Sequence, residues 1–213
     1  MQKGNSGFTL IEISIVLVII GLLLGGVLKG QEMVTQAKIK NISNDFSGIA
    51  VALASYQDRY KRLPGDDPGA SRWAFGGTAL SGGDGSNSIA GTYASTTLTE
   101  ESRTFWAHLR LSGFLTGPTD SLTNALTLPA NAVGGISGVQ NGGLGMSGLL
   151  ICSGGLPTKI AQAVDSQFDD GNAMTGSVRA MLEGTPPTAL SGTAPGANYV
   201  ENGSNLYVVC RSY

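Results

Sequence analysis

From Phe8 to Leu28 the chain reads FTLIEISIVLVIIGLLLGGVL, and Glu12 is the only ionisable side chain in that run. Wound as a helix at about 1.5 Å per residue, such a stretch spans a hydrocarbon core of about 30 Å. The pattern then changes. Ile42, Phe46, Ile49, Leu53, Tyr56 and Tyr60 recur at alternating four- and three-residue steps, with Asn44, Asp45, Gln57 and Asp58 opposite them. That spacing predicts an amphipathic helix with one face embedded in a core. A coiled-coil seam would need more heptads and flanking charge pairs. Leu63-Pro64-Gly65 ends the helix, because proline cannot continue it and disfavours helical geometry in the residue before. A single helix from Phe8 to about Arg62 would be about 80 Å long.

After residue 65 the texture is different. The chain has 32 glycines, most of them in this part, which predicts turns and short strands rather than a helical bundle. Residues 76–91 hold so few apolar side chains that they read as an exposed, mobile loop. Thr97-Leu98-Thr99-Glu100 has the form of a capping box, and Phe105, Leu109 and Leu111 follow it in a short helix closed by Gly113. Gly148–Cys152, Ser177–Leu182 and Leu206–Cys210 are strand candidates bounded by turn residues, and they suggest an antiparallel sheet. Pro157–Phe168 reads as a helix with proline in its first turn, closed by Asp169-Asp170-Gly171. The expected fold class is α+β: a long N-terminal helix packed on a C-terminal head with a small antiparallel sheet.

Composition narrows the function. With 213 residues, 41% of them hydrophobic, the chain can build one domain beside one extra element. Net charge is −2 and the only basic cluster is Lys38 to Lys40, so no dedicated nucleic-acid partner is expected. There is no GxSxG, no CxxC, and one histidine, His108, without a second ligand or nearby nucleophile. A tethered hydrolase is therefore disfavoured, no cofactor is expected, and His108 reads as a packing or capping residue.

The residues ahead of the apolar run, MQKGNSG, carry one cation, Lys3, and end in Gly7. A secretory signal peptide places its small-residue cleavage site after the apolar region, whereas here the small residue precedes it. Cleavage at that point would leave the membrane helix on the mature chain. Lys3 favours a cytoplasmic N-terminus and an exported C-terminal part. KGNSG followed by FTLIE resembles the leader junction of type IV prepilins and type II secretion pseudopilins. The resemblance implies a pilin fold. It also implies that prepilin peptidase cuts after Gly7 and methylates Phe8, and that Glu12 is the acidic residue used in assembly. A carboxylate at membrane depth costs about 2 to 3 kcal/mol unless paired, and the amine freed on Phe8 is an available cation. In the family the pairing is with a neighbouring subunit.

One departure stands out. Many major pilins carry a proline within this segment; here Gly21, Gly25 and Gly26 interrupt it instead, either as the place where the helix loosens or as a GxxxG surface for close helix approach. Three further stretches, YQDRYKRLPGDDPGA, TFWAHLRLSGFL and AVDSQFDDGNAMTGSVRA, are similar to pilin-like heads. The implied organisation is leader 1–7, transmembrane and filament-core helix 8–28, amphipathic continuation 29–62 and head 63–213.

Cys152 and Cys210 both lie in the exported part, where a disulfide between them is expected; two buried free thiols are the alternative. Asp165, Asp169, Asp170 and Asn172 offer hard oxygen ligands that calcium could take, but their spacing is not that of an EF-hand and turn capping is the preferred reading. The resemblance implies as partners other pilin subunits, prepilin peptidase and an inner-membrane assembly platform. The location it implies is the bacterial inner membrane before assembly and an extracellular or periplasmic filament afterwards. The alternatives are a minor pilin with an adhesive or DNA-binding tip role and a secretion pseudopilin.

Overall fold

The structure is a computed structural model that describes residues 9–75, 77–187, 189–190 and 192–213. The chain divides into two compact units, Met1–Lys38 and Ile39–Tyr213. Gly7 and Phe8, with the rest of the expected leader, lie outside the described residues.

Helix α1 runs from Leu10 to Tyr60, and its residues up to Lys38 fall in the first unit. Within that unit the apolar side chains are bare: Leu10 is 86% exposed and Leu22 73%. This helix is long and apolar enough to cross a membrane. Gly21, Gly25 and Gly26 do not interrupt it, and a Cβ placed at any of them would meet nothing within 4 Å.

In the second unit, the expected stripe of α1 is the buried one. Ile39, Ile42, Phe46, Ile49, Leu53 and Tyr56 enter a core with Phe105, Trp106 and Leu109 of α2 (Glu101–Leu111). The remaining elements are a 3-10 helix (Pro68–Arg72), β1 (Ala74–Phe75), β2 (Thr78–Ala79), α3 (Leu122–Ala125), β3 (Ser137–Gly143), β4 (Met146–Pro157), α4 (Thr158–Phe168), β5 (Val178–Leu182) and β6 (Leu206–Ser212). β1 and β2 form a small hairpin, while the main sheet is antiparallel in the order β3-β4-β6-β5. Val139, Ile151, Val178, Ala180 and Val209 turn one face of that sheet toward the α1 core. Tyr93, Leu144, Leu150 and Val208 pack a second cluster together with both cysteines.

Four expectations are corrected. Thr97 does not cap α2: the helix starts at Glu101, Glu100 stands at the cap position without a side-chain cap bond, and the Thr97 carbonyl instead closes a turn with the Glu100 N–H. The Glu101 carboxylate reaches away from the helix to the N–H groups of Asp84 and Ala90. β3 is an unexpected strand, because its sequence SGVQNGG lacks the β-branched run that marks strands and is held by pairing to β4. Pro157 sits at the N-cap of α4 rather than inside its first turn. The 77–91 segment is anchored: Leu80 and Ile89 are buried, and the buried Asp66 carboxylate accepts the N–H groups of Gly85 and Asn87. Few apolar side chains suffice when backbone donors find a buried carboxylate.

Candidate functional site

The N-terminal site is built on the first turn of α1. The Glu12 carboxylate accepts the backbone N–H of Thr9 at 2.8 Å and the Thr9 hydroxyl at 2.8 Å, while the Glu12 N–H points back to Thr9 Oγ1 at 3.3 Å. This is a reciprocal capping box, with the residue just before the helix and the residue three further on satisfying donors that a helix start leaves open. The Thr-x-x-Glu spacing is present in the sequence at residues 9–12, inside the FTLIE stretch. Beyond this turn the unit presents only apolar side chains, glycine and Ser14, whose hydroxyl donates to the Leu10 carbonyl, as far as Leu28. Up to Leu28 the helix therefore carries one carboxylate, at the edge of a bare apolar surface.

A second polar centre lies where α1 ends. Gly65 has a positive φ of 90°, and its N–H donates to His108 Nδ1 at 2.8 Å while its carbonyl accepts the Thr104 hydroxyl. Nδ1 is thus the acceptor, which places the proton on Nε2, facing the Ser81 carbonyl at 3.4 Å. Burial pushes the imidazole pKa down to about 4. Beside it, Asp67 accepts the Tyr56 hydroxyl at 2.6 Å, the Gly69 N–H at 2.8 Å and the Arg72 guanidinium at 2.8 Å. Arg72 also lies 4.5 Å from the centre of the Tyr60 ring and 4.7 Å from that of Trp73. Desolvation, reinforced by Asp67, drives the Tyr56 hydroxyl far above its ordinary range. These groups lock the Pro64-Gly65-Asp66 turn to α2, and His108 is spent as a hydrogen-bond acceptor within that lock.

The aspartates considered for calcium serve turns. Asp165 accepts the Tyr199 hydroxyl and the Gly171 N–H, and Asp170 accepts the Asn172 N–H and the Thr175 hydroxyl. Asp169 accepts N–H groups of Ser177 and Val178, while Asn172 Oδ1 accepts that of Met174. Among the described residues, the carboxylates that do converge are Asp66, Asp84 and Glu101, with ligand oxygens within 4.8 Å of one another. Their oxygens also take backbone donors from Gly85, Asn87, Ser86, Asp84 and Ala90. Sequence reading missed this trio because its members are 18 and 17 residues apart (84 − 66 and 101 − 84).

Cys152 and Cys210 are register partners across β4 and β6 and are bonded, with Cα atoms 4.0 Å apart. Both are fully buried.

No curated protein matches the chain. Residues 2–28 match the family model described as the prokaryotic N-terminal methylation motif. That span includes Gly7, Phe8, Thr9 and Glu12 as well as the apolar stretch of α1 up to Leu28. The chain carries the N-terminal processing and methylation signature of type IV pilins and pseudopilins.

Proposed function

We propose that this chain is a structural subunit of a type IV pilus or a related filament, and that it polymerises through α1. The observation that carries the reading is a bare apolar helix headed by the methylation motif, with one carboxylate at its first turn. In lipid the exposed side chains from Leu10 to Leu28 are solvated by acyl chains; in a filament, neighbouring helices replace the lipid. Prepilin peptidase cuts after Gly7 and leaves a methylated amine on Phe8. That amine and the Glu12 carboxylate are each costly at membrane depth, and contact between one subunit's amine and the next subunit's carboxylate removes both penalties. The pair sets axial register, while apolar packing supplies most of the attraction.

On this reading the subunit waits in the inner membrane with its head exported, and an assembly platform draws it into the filament. Residues 8–28 are the filament core, 29–62 the amphipathic continuation and 63–213 the head. The exported location agrees with the bonded Cys152–Cys210 pair, since disulfides persist in oxidising compartments.

The test is mass spectrometry of the protein recovered from sheared filaments of a source that has its own prepilin peptidase. The expected N-terminus is methylated Phe8. Filament subunits that retain residues 1–7 would overturn the proposal.

A further inference from the structure

The connection from β5 to β6 ends in Val200-Glu201-Asn202-Gly203-Ser204-Asn205, and Glu201 to Ser204 are all exposed. Asn202 is followed by glycine, so no Cβ shields the backbone nitrogen of residue 203 from the Asn202 side-chain carbonyl carbon. The hydrogen bonds around this dipeptide have a particular order. The Gly203 N–H donates to Glu201 Oε1 at 3.0 Å. Asn202 Oδ1 accepts the Ser204 N–H at 3.0 Å, the Asn205 N–H at 2.8 Å and the Ser204 hydroxyl at 3.3 Å. The Asn202 amide nitrogen donates to Asn205 Oδ1 at 2.9 Å, and Asn205 is held in turn by the Val200 carbonyl at 2.9 Å.

We propose that Asn202 is a self-modification site, converted to aspartate and isoaspartate by attack of the Gly203 backbone nitrogen on the Asn202 side-chain amide. Each group has a role. Glu201 is the base on the nucleophile's proton. The Ser204 N–H, Asn205 N–H and Ser204 hydroxyl surround Oδ1, where negative charge develops as the tetrahedral intermediate forms, and act as an oxyanion hole. The Gly203 N–Cγ bond forms and the Cγ–Nδ2 bond breaks. The proton taken from Gly203 passes to Nδ2, which leaves as ammonia, and the product is a five-membered succinimide. Water then opens that ring at either carbonyl, giving aspartate or isoaspartate, with no oxidant or reductant required. Gly203, at φ 81°, has no side chain to resist closure of the ring.

The chain supplies its own comparison. Asn141-Gly142 is the same dipeptide, and Asn141 is also exposed. It lies in β3, where Asn141 pairs with Leu149 of β4 and the register shifts at Gly142, and its amide donates to the Ser88 hydroxyl. No acidic residue adjoins it in sequence, since Gln140 occupies the place that Glu201 takes beside Asn202. Conversion of Asn202 adds one negative charge beside Glu201, which forms no ion pair among the described residues.

The experiment incubates the full-length protein in detergent at neutral pH and physiological temperature and follows both dipeptides by peptide mapping with isoaspartate detection. Asn202 is expected to convert about tenfold faster than Asn141, and Glu201→Gln to remove most of that advantage, in line with the contribution of a positioned base. Glu201 is exposed, so this variant leaves the core untouched. A synthetic peptide of the same turn sequence is expected to convert more slowly than the folded chain. Conversion of Asn202 no faster than Asn141, or no slower in Glu201→Gln, would overturn the assignment.

Discussion

Thr9 and Glu12 satisfy each other at the start of α1, the carboxylate taking the Thr9 N–H and hydroxyl while its own N–H turns toward Thr9 Oγ1. Both bonds are accepted by Oε2; among the described residues, Oε1 accepts none. Glu12 can therefore keep its cap while its second oxygen meets an amine.

This separates two substitutions. Glu12→Gln keeps a cap acceptor and removes the charge, so incorporation into filaments should fall sharply while the head's melting temperature stays unchanged. Thr9→Val removes the hydroxyl, should cost the first turn about 1 kcal/mol, and should leave much of the incorporation intact. Filament yield and thermal melting of the full-length protein in detergent measure both. Normal yield from Glu12→Gln would remove the charge-pair mechanism.

His108 makes the head sensitive to acid. Its pKa in the fold is lowered to about 4 from 6.5, so between those values the unfolded chain binds a proton that the native state refuses. Stability is therefore full above about pH 6.5 and falls as pH drops toward 4, by up to about 3 kcal/mol for this group. Glu101 and Asp165 are raised by burial and act in the opposite direction, because their protonation in the fold relieves a desolvation cost. The difference in melting temperature between the parent protein and His108→Gln, followed from neutral to acid pH, isolates the histidine; a difference independent of pH would contradict its role.

Gly65 and Gly25 should respond in opposite ways to alanine. A Cβ at Gly65 would stand 2.6 Å from the Glu101 carbonyl oxygen, on a backbone with φ 90°. Gly65→Ala should destabilise the head by about 2 kcal/mol or more. A Cβ at Gly25 meets nothing within 4 Å in the isolated chain, so Gly25→Ala should strengthen α1 by about 1 kcal/mol without changing the head. If Gly25→Ala also blocks assembly, the glycine is needed for contact between helices. Circular dichroism melts and filament yield distinguish these results.

Removing the disulfide should destabilise the head without dismantling its sheet. The bond spans a sequence separation of 58. In the chain-entropy model such a closure contributes about 4 kcal/mol, through restriction of the unfolded chain. The Cys152→Ser, Cys210→Ser double variant should melt earlier, and denaturant titration measures the loss. An unchanged midpoint would mean that strand pairing alone sets the stability.

The long-helix reading came from periodicity, and periodicity is a local property. The apolar run to Leu28 and the stripe from Ile42 to Tyr56 are visible to neighbours within two helical turns, and the structure places them as that pattern implies; the helix itself stops at Tyr60, with Lys61 at φ 56°, ahead of the Leu63-Pro64-Gly65 stop read from the sequence. Helices α2 and α4 and strands β4, β5 and β6 were legible for the same reason, apart from their ends. The methylation motif is likewise contiguous, so its residues could be recognised without a fold.

What required tertiary structure were groups whose partners lie far along the chain. β3 is a strand because β4 pairs with it, and SGVQNGG by itself favours no such state. Asp66 anchors a segment some 20 residues later, and His108 receives the Gly65 N–H across 43 residues. The Glu101 carboxylate likewise serves the N–H groups of Asp84 and Ala90, 17 and 11 residues earlier in the chain, so no local spacing announces the contact. The sequence by itself determined the helix and the processing signature, since both depend on side chains spaced within a few residues. Tertiary structure decided which polar groups are buried and who satisfies them, because a buried donor or acceptor must find its partner wherever the chain brings one.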